Sequence, residues 1–342
     1  MPHVAELYDK IEEDAVRCRV CSHRCRIGEG KSGICGMRKN RGGTLYAENY
    51  AKVVAEAVDP IEKKPLYHFL PGTNVYSLGG LGCNFHCTHC QNWQISQDHD
   101  LTGMFRTISP EEGVRRASSA RCRSIAWTYN EPTIWHEYSK DMGNLAKMES
   151  LGTVYVTNGY MTEEALDDLS PMLDAFRVDL KSFSDEFYKK FYKKICGARL
   201  QPVLDSTIRA KELGMHIETV TLVIPGVNDS MEEMMALVGW VLESLGPDVP
   251  MHFTAFHPDF RMTGVPPTPV KTLEKIHDMA VEKGVRYVYT GNVPTNRYNN
   301  TYCPECGNLL IERAGFSAGI LGLEGTTCSK CGAKIPIVTD VK

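Results

Sequence analysis

The chain predicts an α/β fold built on a parallel sheet, on three observations. From about residue 73 to 295, short β-branched runs alternate with helix-period runs. Successive strand starts lie roughly 25 to 50 residues apart, the span of a strand–helix unit. The polar, chemistry-bearing turns fall directly after the predicted strands, where parallel α/β sheets place ligands.

In chain order the predicted strands are Val75-Tyr76-Ser77-Leu78, Ser124-Ile125-Ala126-Trp127-Thr128, Val154-Tyr155-Val156, Phe176-Arg177-Val178-Asp179-Leu180, Ile217 to Ile224, His252-Phe253-Thr254-Ala255-Phe256 and Arg286-Tyr287-Val288-Tyr289. Between the second and third, Ile134, Tyr138, Met142, Leu145 and Met148 recur at helical spacing behind Pro132, a residue welcome in a first helical turn. Residues 1–72 are expected to form a cysteine-rich N-terminal region, 73–295 the core and 296–342 a small zinc-ribbon-like tail. The second boundary is marked by the turn-prone Asn296-Arg297-Tyr298-Asn299-Asn300. The first is blurred, because Asp59-Pro60-Ile61-Glu62-Lys63-Lys64-Pro65 reads equally as a linker or a packed strap.

Of 13 cysteines, 11 fall in three tight clusters, and only Cys122 and Cys196 stand alone. In a chain of 342 residues such clustering points to metal binding in a reducing, cytoplasmic setting rather than to a disulfide framework. The first residues lack the basic start and apolar core of a signal peptide, and no apolar run is long enough to span a membrane. A net charge of -4 argues against nucleic-acid binding as the main activity. The most basic stretch, Arg17 to Arg41, overlaps a cysteine cluster, and its charge is expected to offset bound thiolates.

The central cluster lies in Gly82-Cys83-Asn84-Phe85-His86-Cys87-Thr88-His89-Cys90, directly after a strand. A cubane iron–sulfur cluster normally takes four thiolates, whereas this loop offers Cys83, Cys87 and Cys90. One iron is then left open to chelate S-adenosyl-L-methionine (SAM), the arrangement on which radical SAM chemistry rests. Gly79, Gly80 and Gly82 suit a backbone that approaches a bulky cofactor. Unrelated core cysteines, or a zinc site completed by His86 or His89, are the alternatives. In the tail, Cys303-Pro304-Glu305-Cys306-Gly307 and Cys328-Ser329-Lys330-Cys331-Gly332 are paired knuckles. Their four thiolates fit a closed tetrahedral zinc site, with mononuclear iron as the alternative. Near the N-terminus, Cys18, Cys21, Cys25 and Cys35 suit either zinc or a second iron–sulfur cluster, and His23 is a substitute ligand.

These residues resemble the radical SAM superfamily, and within it the branch containing pyruvate formate-lyase activating enzymes. The set as a whole is most similar to the AmmeMemoRadiSam system radical SAM enzymes. The resemblance is carried by Cys18-Arg19-Val20-Cys21 with Cys25 and Cys35, by Asp59 to Pro65, by Gly82 to Ser96 with its Cys90-Gln91-Asn92-Trp93, by Thr128 to Thr133, and by Ile224-Pro225-Gly226-Val227-Asn228-Asp229. It implies a partial (β/α)6 radical SAM barrel and a [4Fe-4S] cluster on Cys83, Cys87 and Cys90. Reductive cleavage of SAM to a 5′-deoxyadenosyl radical would then act on an unidentified substrate. Implied partners are a reducing donor of the flavodoxin or ferredoxin kind and proteins of the AMMECR or Memo families.

Residue by residue, Asn130-Glu131-Pro132 stands where relatives carry a Gly-Gly-Glu-Pro turn that holds the SAM amino group. Tyr129 and Asn130 replace the two glycines, which restricts how the carbonyls can be presented. Asp179 and Lys181 match an Asp-x-Lys that contacts ribose and the SAM carboxylate, and an ordinary salt bridge is their plainer reading. Asn158 sits in Thr157-Asn158-Gly159, where relatives often carry an acid in place of Val156. His257 falls where a histidine approaches SAM, and His89 where an aromatic packs on adenine. A glycyl-radical enzyme activating enzyme is the alternative function, although the extra ferredoxin-like cysteines of many such activators are missing. A non-catalytic iron–sulfur or zinc scaffold and an RNA-modifying enzyme are further alternatives.

Overall fold

A computed structural model describes residues 3–97, 105–191, 198–294 and 297–341. Its centre is an eight-stranded sheet made of β1 (Ala55–Pro60), β2 (Asn74–Gly79), β3 (Ser124–Trp127), β4 (Gly152–Thr157), β5 (Ala175–Asp179), β6 (His216–Val223), β7 (Met251–Ala255) and β8 (Val288–Gly291). From β2 to β8 the strands lie in chain order and pair in parallel, with Ser124 opposite both Val75 and Gly152. Helices fill the six crossovers: α1 (Pro110–Ser119), α2 (His136–Met148), α3 (Glu163–Leu169), α4 (Gln201–Glu212), α5 (Met231–Trp240) and α6 (Val270–Glu282). The result is six strand–helix units followed by a seventh parallel strand. Strands such as β3 and β7, buried at every position, are covered on both faces, as parallel sheets require.

Local chemistry sets the helix starts. Ser109 and Ser230 cap α1 and α5 by accepting the amides of Glu112 and Glu233, and Thr162 caps α3 through the amide of Ala165. A Ser followed three residues later by Glu is the capping-box pattern. The helical run behind Pro132 begins as a 3-10 turn, Pro132–Trp135, before α2. Its pattern holds through Met142, but Met148 is 79% exposed because it sits in the last turn, beyond the sheet.

Asp59 to Pro65 is a packed strap. Strand β1 pairs antiparallel with β2 from within the segment expected as part of the N-terminal region, and Ile61, Glu62 and Lys64 are buried behind it. Asp59 accepts from Lys63 at 2.8 Å, Lys64 at 2.6 Å and the Tyr129 hydroxyl at 2.8 Å. Pro60 ends the strand on the open edge, where a missing N–H costs nothing.

The N-terminal residues form two small sheets, His3–Val4 with Thr44–Ala47 and Arg38–Arg41, and Tyr8–Glu12 with Ala15–Cys18 and Arg26–Ile27. They pack over the carboxyl ends of β2, β3 and β4. Cys21 bridges to Met161, the Trp135 indole donates to the Asn49 carbonyl at 2.7 Å, and buried Arg38 pairs with buried Glu137 at 2.6 Å. Most of the basic stretch is spent on surface pairs such as Arg24–Glu164 and Arg26–Glu12, so Arg38 alone of that stretch is buried among the cysteines.

The tail docks on the opposite, amino-terminal end of the sheet. The Leu70 amide donates to Val338 at 2.7 Å, and the fully buried Arg313 donates to the carbonyls of Tyr67 and Asn299 while stacking 3.9 Å from the Tyr67 ring. Beneath this contact Glu218 of β6 accepts from the amides of Tyr67 and His68 and from the rings of His216 and His252. Cys122 is buried, whereas Cys196 and Asn296 lie outside the described residues.

Candidate active site

The three-cysteine loop leaves β2 through Gly82, which turns with φ +80°. Cys83 and Cys87 are buried and Cys90 is half-buried. The Phe85 amide donates to the Cys83 sulfur at 3.3 Å, and the Cys90 amide closes the turn onto the Cys87 carbonyl at 3.2 Å. Burial pushes the Cys83 thiol well up, with the Glu131 carboxylate and the neighbouring thiolates adding to it. Loading a metal centre must therefore displace protons from these thiols.

The glycines do a different job from the one expected. A Cβ on Gly82 would lie 2.5 Å from the Cys35 carbonyl oxygen, one on Gly80 would meet the Trp135 ring at 3.1 Å, and one on Gly79 the Tyr129 ring at 2.9 Å. They make room for protein, so that the N-terminal layer and the turn after β3 can close on the loop.

That turn is held by its side chains. Tyr129 takes φ +72°, the left-handed conformation that a glycine would adopt freely, and its hydroxyl is anchored on Asp59. Its carbonyl accepts from Asn92 at 2.7 Å. Asn130 reaches back to the cysteine loop, donating to the Gly82 carbonyl at 2.8 Å and accepting from the Gly80 amide at 3.3 Å. Buried Glu131 accepts from the Thr133 amide and hydroxyl, the Thr157 hydroxyl and the Asn158 amide, at 2.6 to 3.0 Å. These four donors match the roughly four lone-pair sites of a carboxylate, so Glu131 joins the ends of β3 and β4. Burial raises its pKa and the donors work against that rise.

Asn158 donates to the Asn84 side chain at 2.8 Å, and Asn84 donates in turn to the Tyr160 carbonyl at 3.2 Å. The loop is thereby tied to β4 as well as β3. Sequence reasoning passed over Asn84, whose only signal was its place between two cysteines of the loop. It also passed over Arg177, although Arg177, Asp179 and Lys181 alternate along β5 and the residues that follow it.

Asp179 pairs with Arg177 on one oxygen and with Lys181 on the other, the latter at 3.0 Å. Burial would raise its pKa, but the two cations outweigh it and hold it down. Burial would likewise lower the Lys181 ammonium, yet Asp179 and the nearby Cys87 sulfur keep it charged. Buried Asn228 fixes the base of this row by donating to the Lys181 carbonyl at 2.7 Å, which explains the place of Asn228 in the Ile224 to Asp229 segment. His89 is buried, and burial with Lys181 nearby drops its pKa to about 3. His257 is exposed at the end of β7, with Nδ1 3.0 Å from the Pro258 carbonyl. The segment it opens folds over the cysteine loop: Arg261 donates its amide to Thr88 at 3.0 Å and Phe260 stacks on Trp93.

Spacing separates the thiolate sets. The sulfurs of Cys303, Cys306, Cys328 and Cys331 all lie within 4.8 Å of one another, with contacts of 3.6 and 3.7 Å. Gly307 and Gly332 turn each knuckle with φ +70° and +73°. This set can hold a metal ion. Among the described residues the only other group so tight is Glu6, His136 and Asp168, where Lys140 already pairs with both acids. Cys83, Cys87 and Cys90 are spread more widely, as sulfurs on separate irons of one cluster must be. Two buried thiols and a half-buried third, beside a fixed ammonium, fit an iron–sulfur group.

Residues 78–238 match the family model of the Radical SAM superfamily. The uncharacterized protein MJ0808 of Methanocaldococcus jannaschii is 45% identical over 336 residues, covering 98% of this chain and 99% of its own. A second uncharacterized protein of that organism, MJ0674, is 25% identical over 211 residues, covering 59% of this chain and 54% of its own. The crystal structure of a radical SAM methyltransferase from Sphaerobacter thermophilus aligns with a TM-score of 0.49 at 17% identity, over 64% of this chain and 66% of that one. With the cysteine loop placed at the carboxyl end of the first parallel strand, the chain belongs to the radical SAM superfamily and is an enzyme of that class.

Proposed function

We propose that this enzyme cleaves SAM reductively on a [4Fe-4S] cluster held by Cys83, Cys87 and Cys90, as in the AmmeMemoRadiSam system group. The observation that carries this reading is the widely spaced three-thiolate loop locked between the ends of β2, β3 and β4. When bound, the cluster and SAM supply one-electron cleavage of the sulfonium to a 5′-deoxyadenosyl radical. The Arg177–Asp179–Lys181 row faces the loop and offers a carboxylate for ribose hydroxyls and an ammonium for the SAM carboxylate. Glu131 acts by position: it fixes the strand ends whose carbonyls hold the SAM amino group. Asn130 and Asn158 do the same for the cysteine loop. The segment from His257 to Arg261 covers the site from the β7 side.

The tail cysteines hold zinc in this reading. Tetrahedral zinc with bonds of about 2.3 Å sets sulfurs about 3.8 Å apart, close to the observed 3.6 and 3.7 Å. Docked at the amino ends of the strands, this ion is structural. A low-potential flavodoxin or ferredoxin supplies the electron. The test is anaerobic reconstitution with iron and sulfide, then dithionite and SAM. 5′-Deoxyadenosine should form, and should vanish in Cys87→Ala. Full product in that variant would refute the assignment.

A further inference from the structure

We infer that Cys18, Cys21, Cys25 and Cys35 hold a second iron–sulfur cluster of the cubane type, capped by protein at every corner and adjacent to the Cys83–Cys90 loop. All four line one pocket, together with His23 and Arg38. Four free thiols converging on one pocket form a ligand set for a resident metal group.

Spacing identifies the group. Four ligands of one zinc ion must close to about 3.8 Å, as the tail cysteines do. The N-terminal sulfurs are not all gathered to within 4.8 Å of one another, unlike those of the tail. The backbone that carries the four cysteines is held by its own contacts. The Cys18 amide is bonded to the Cys25 carbonyl at 3.0 Å, Cys21 is bridged to Met161, and the Cys35 carbonyl is seated against Gly82. Hydrogen bonding agrees as well. Arg38 is 2% exposed, and its Nε–H has no hydrogen-bond partner in a cavity walled by sulfur. Glu137 already pairs the guanidinium charge, and a cluster bearing four thiolates supplies the acceptor that the Nε–H lacks.

Position gives the cluster a use. The Cys35 carbonyl packs on Gly82, the residue before Cys83, and His23 lies 2.8 Å from the Asn84 carbonyl, the residue after it. Cys25 is the half-buried corner. One electron from a reduced flavodoxin or ferredoxin enters there and passes to the neighbouring site, with no bond made or broken. The relay rests on the SAM-cleaving reading; the presence of the cluster does not.

The full-length Cys83→Ala/Cys87→Ala/Cys90→Ala variant isolates the second site. After anaerobic reconstitution it should keep about four irons and as many acid-labile sulfides per chain, with a cluster EPR signal on reduction. Zinc in place of iron at these cysteines, or no iron in a variant that melts like the wild type, would overturn the inference. In Cys25→Ser, 5′-deoxyadenosine formation should fall at least tenfold with reduced flavodoxin but little with dithionite. An equal rate with flavodoxin would overturn the relay.

Discussion

Replacing Gly82 with alanine tests how the N-terminal layer is joined to the cysteine loop. Gly82 has φ +80°, and an added Cβ would lie 2.5 Å from the Cys35 carbonyl oxygen and 2.8 Å from Met37 Cγ. The left-handed conformation alone costs about 1–2 kcal/mol for a residue with a Cβ. Forcing a methyl into packed backbone adds about 1–3 kcal/mol, so Gly82→Ala should lose roughly 2–5 kcal/mol. Gly214, at φ +83° after α4, has nothing within 4 Å of a built Cβ and isolates the conformational cost. Urea unfolding of the metal-free, reduced protein should give Gly214→Ala only about 1–2 kcal/mol of loss. Gly82→Ala should also bind less iron, because both cysteine sets move. Equal losses in the two variants would show that the contact between Cys35 and the loop does not constrain the fold.

Three further outcomes follow from the ion pairs and the knuckles. Burial pushes Glu137 up but Arg38 holds it down at about 2, against an ordinary 4.5. Its contribution, about 3 kcal/mol at roughly 1.4 kcal/mol per tenfold, is present above pH 4.5 and lost as pH falls through about 2. Glu137→Gln should therefore be less stable than wild type at pH 6 in urea titrations of the metal-free protein, and the gap should close on acidification. Lys181→Met should leave the iron content unchanged yet raise the KM for SAM about tenfold or more, since the ammonium offered to the SAM carboxylate is lost; an unchanged KM counts against SAM contact. Cys303→Ala should lower zinc by one equivalent and loosen the tail, seen as earlier proteolysis, while iron at Cys83, Cys87 and Cys90 stays.

Much of the core could be read because parallel strands announce themselves. Runs such as Ile217 to Ile224 and His252 to Phe256 are rich in β-branched and aromatic residues and bounded by turn residues, and each became a strand. The helix after Pro132 was legible for the same reason of period. What could not be read was which surfaces close on each other. The glycines before Cys83 carry one physical message, a missing side chain, and only the fold reveals that Cys35, Trp135 and Tyr129 occupy the space. Glu131, Asn130 and Asn158 were visible as polar residues after strands, but their partners lie up to 74 positions away, as in the Asn158–Asn84 bond. The strap from Ala55 to Lys64 hid behind one proline and five charged residues. Its antiparallel pairing rests on backbone bonds, and its charges find Tyr129 and one another.

The central claim is that one iron of the cluster on Cys83, Cys87 and Cys90 is open to SAM. The most direct measurement is the EPR spectrum of the anaerobically reconstituted, reduced enzyme recorded with and without SAM labelled with nitrogen-15 at its amino group. The account predicts a changed signal with a resolved coupling to the label, both lost in Cys87→Ala. Identical spectra with and without SAM, from protein that carries the cluster, would contradict it.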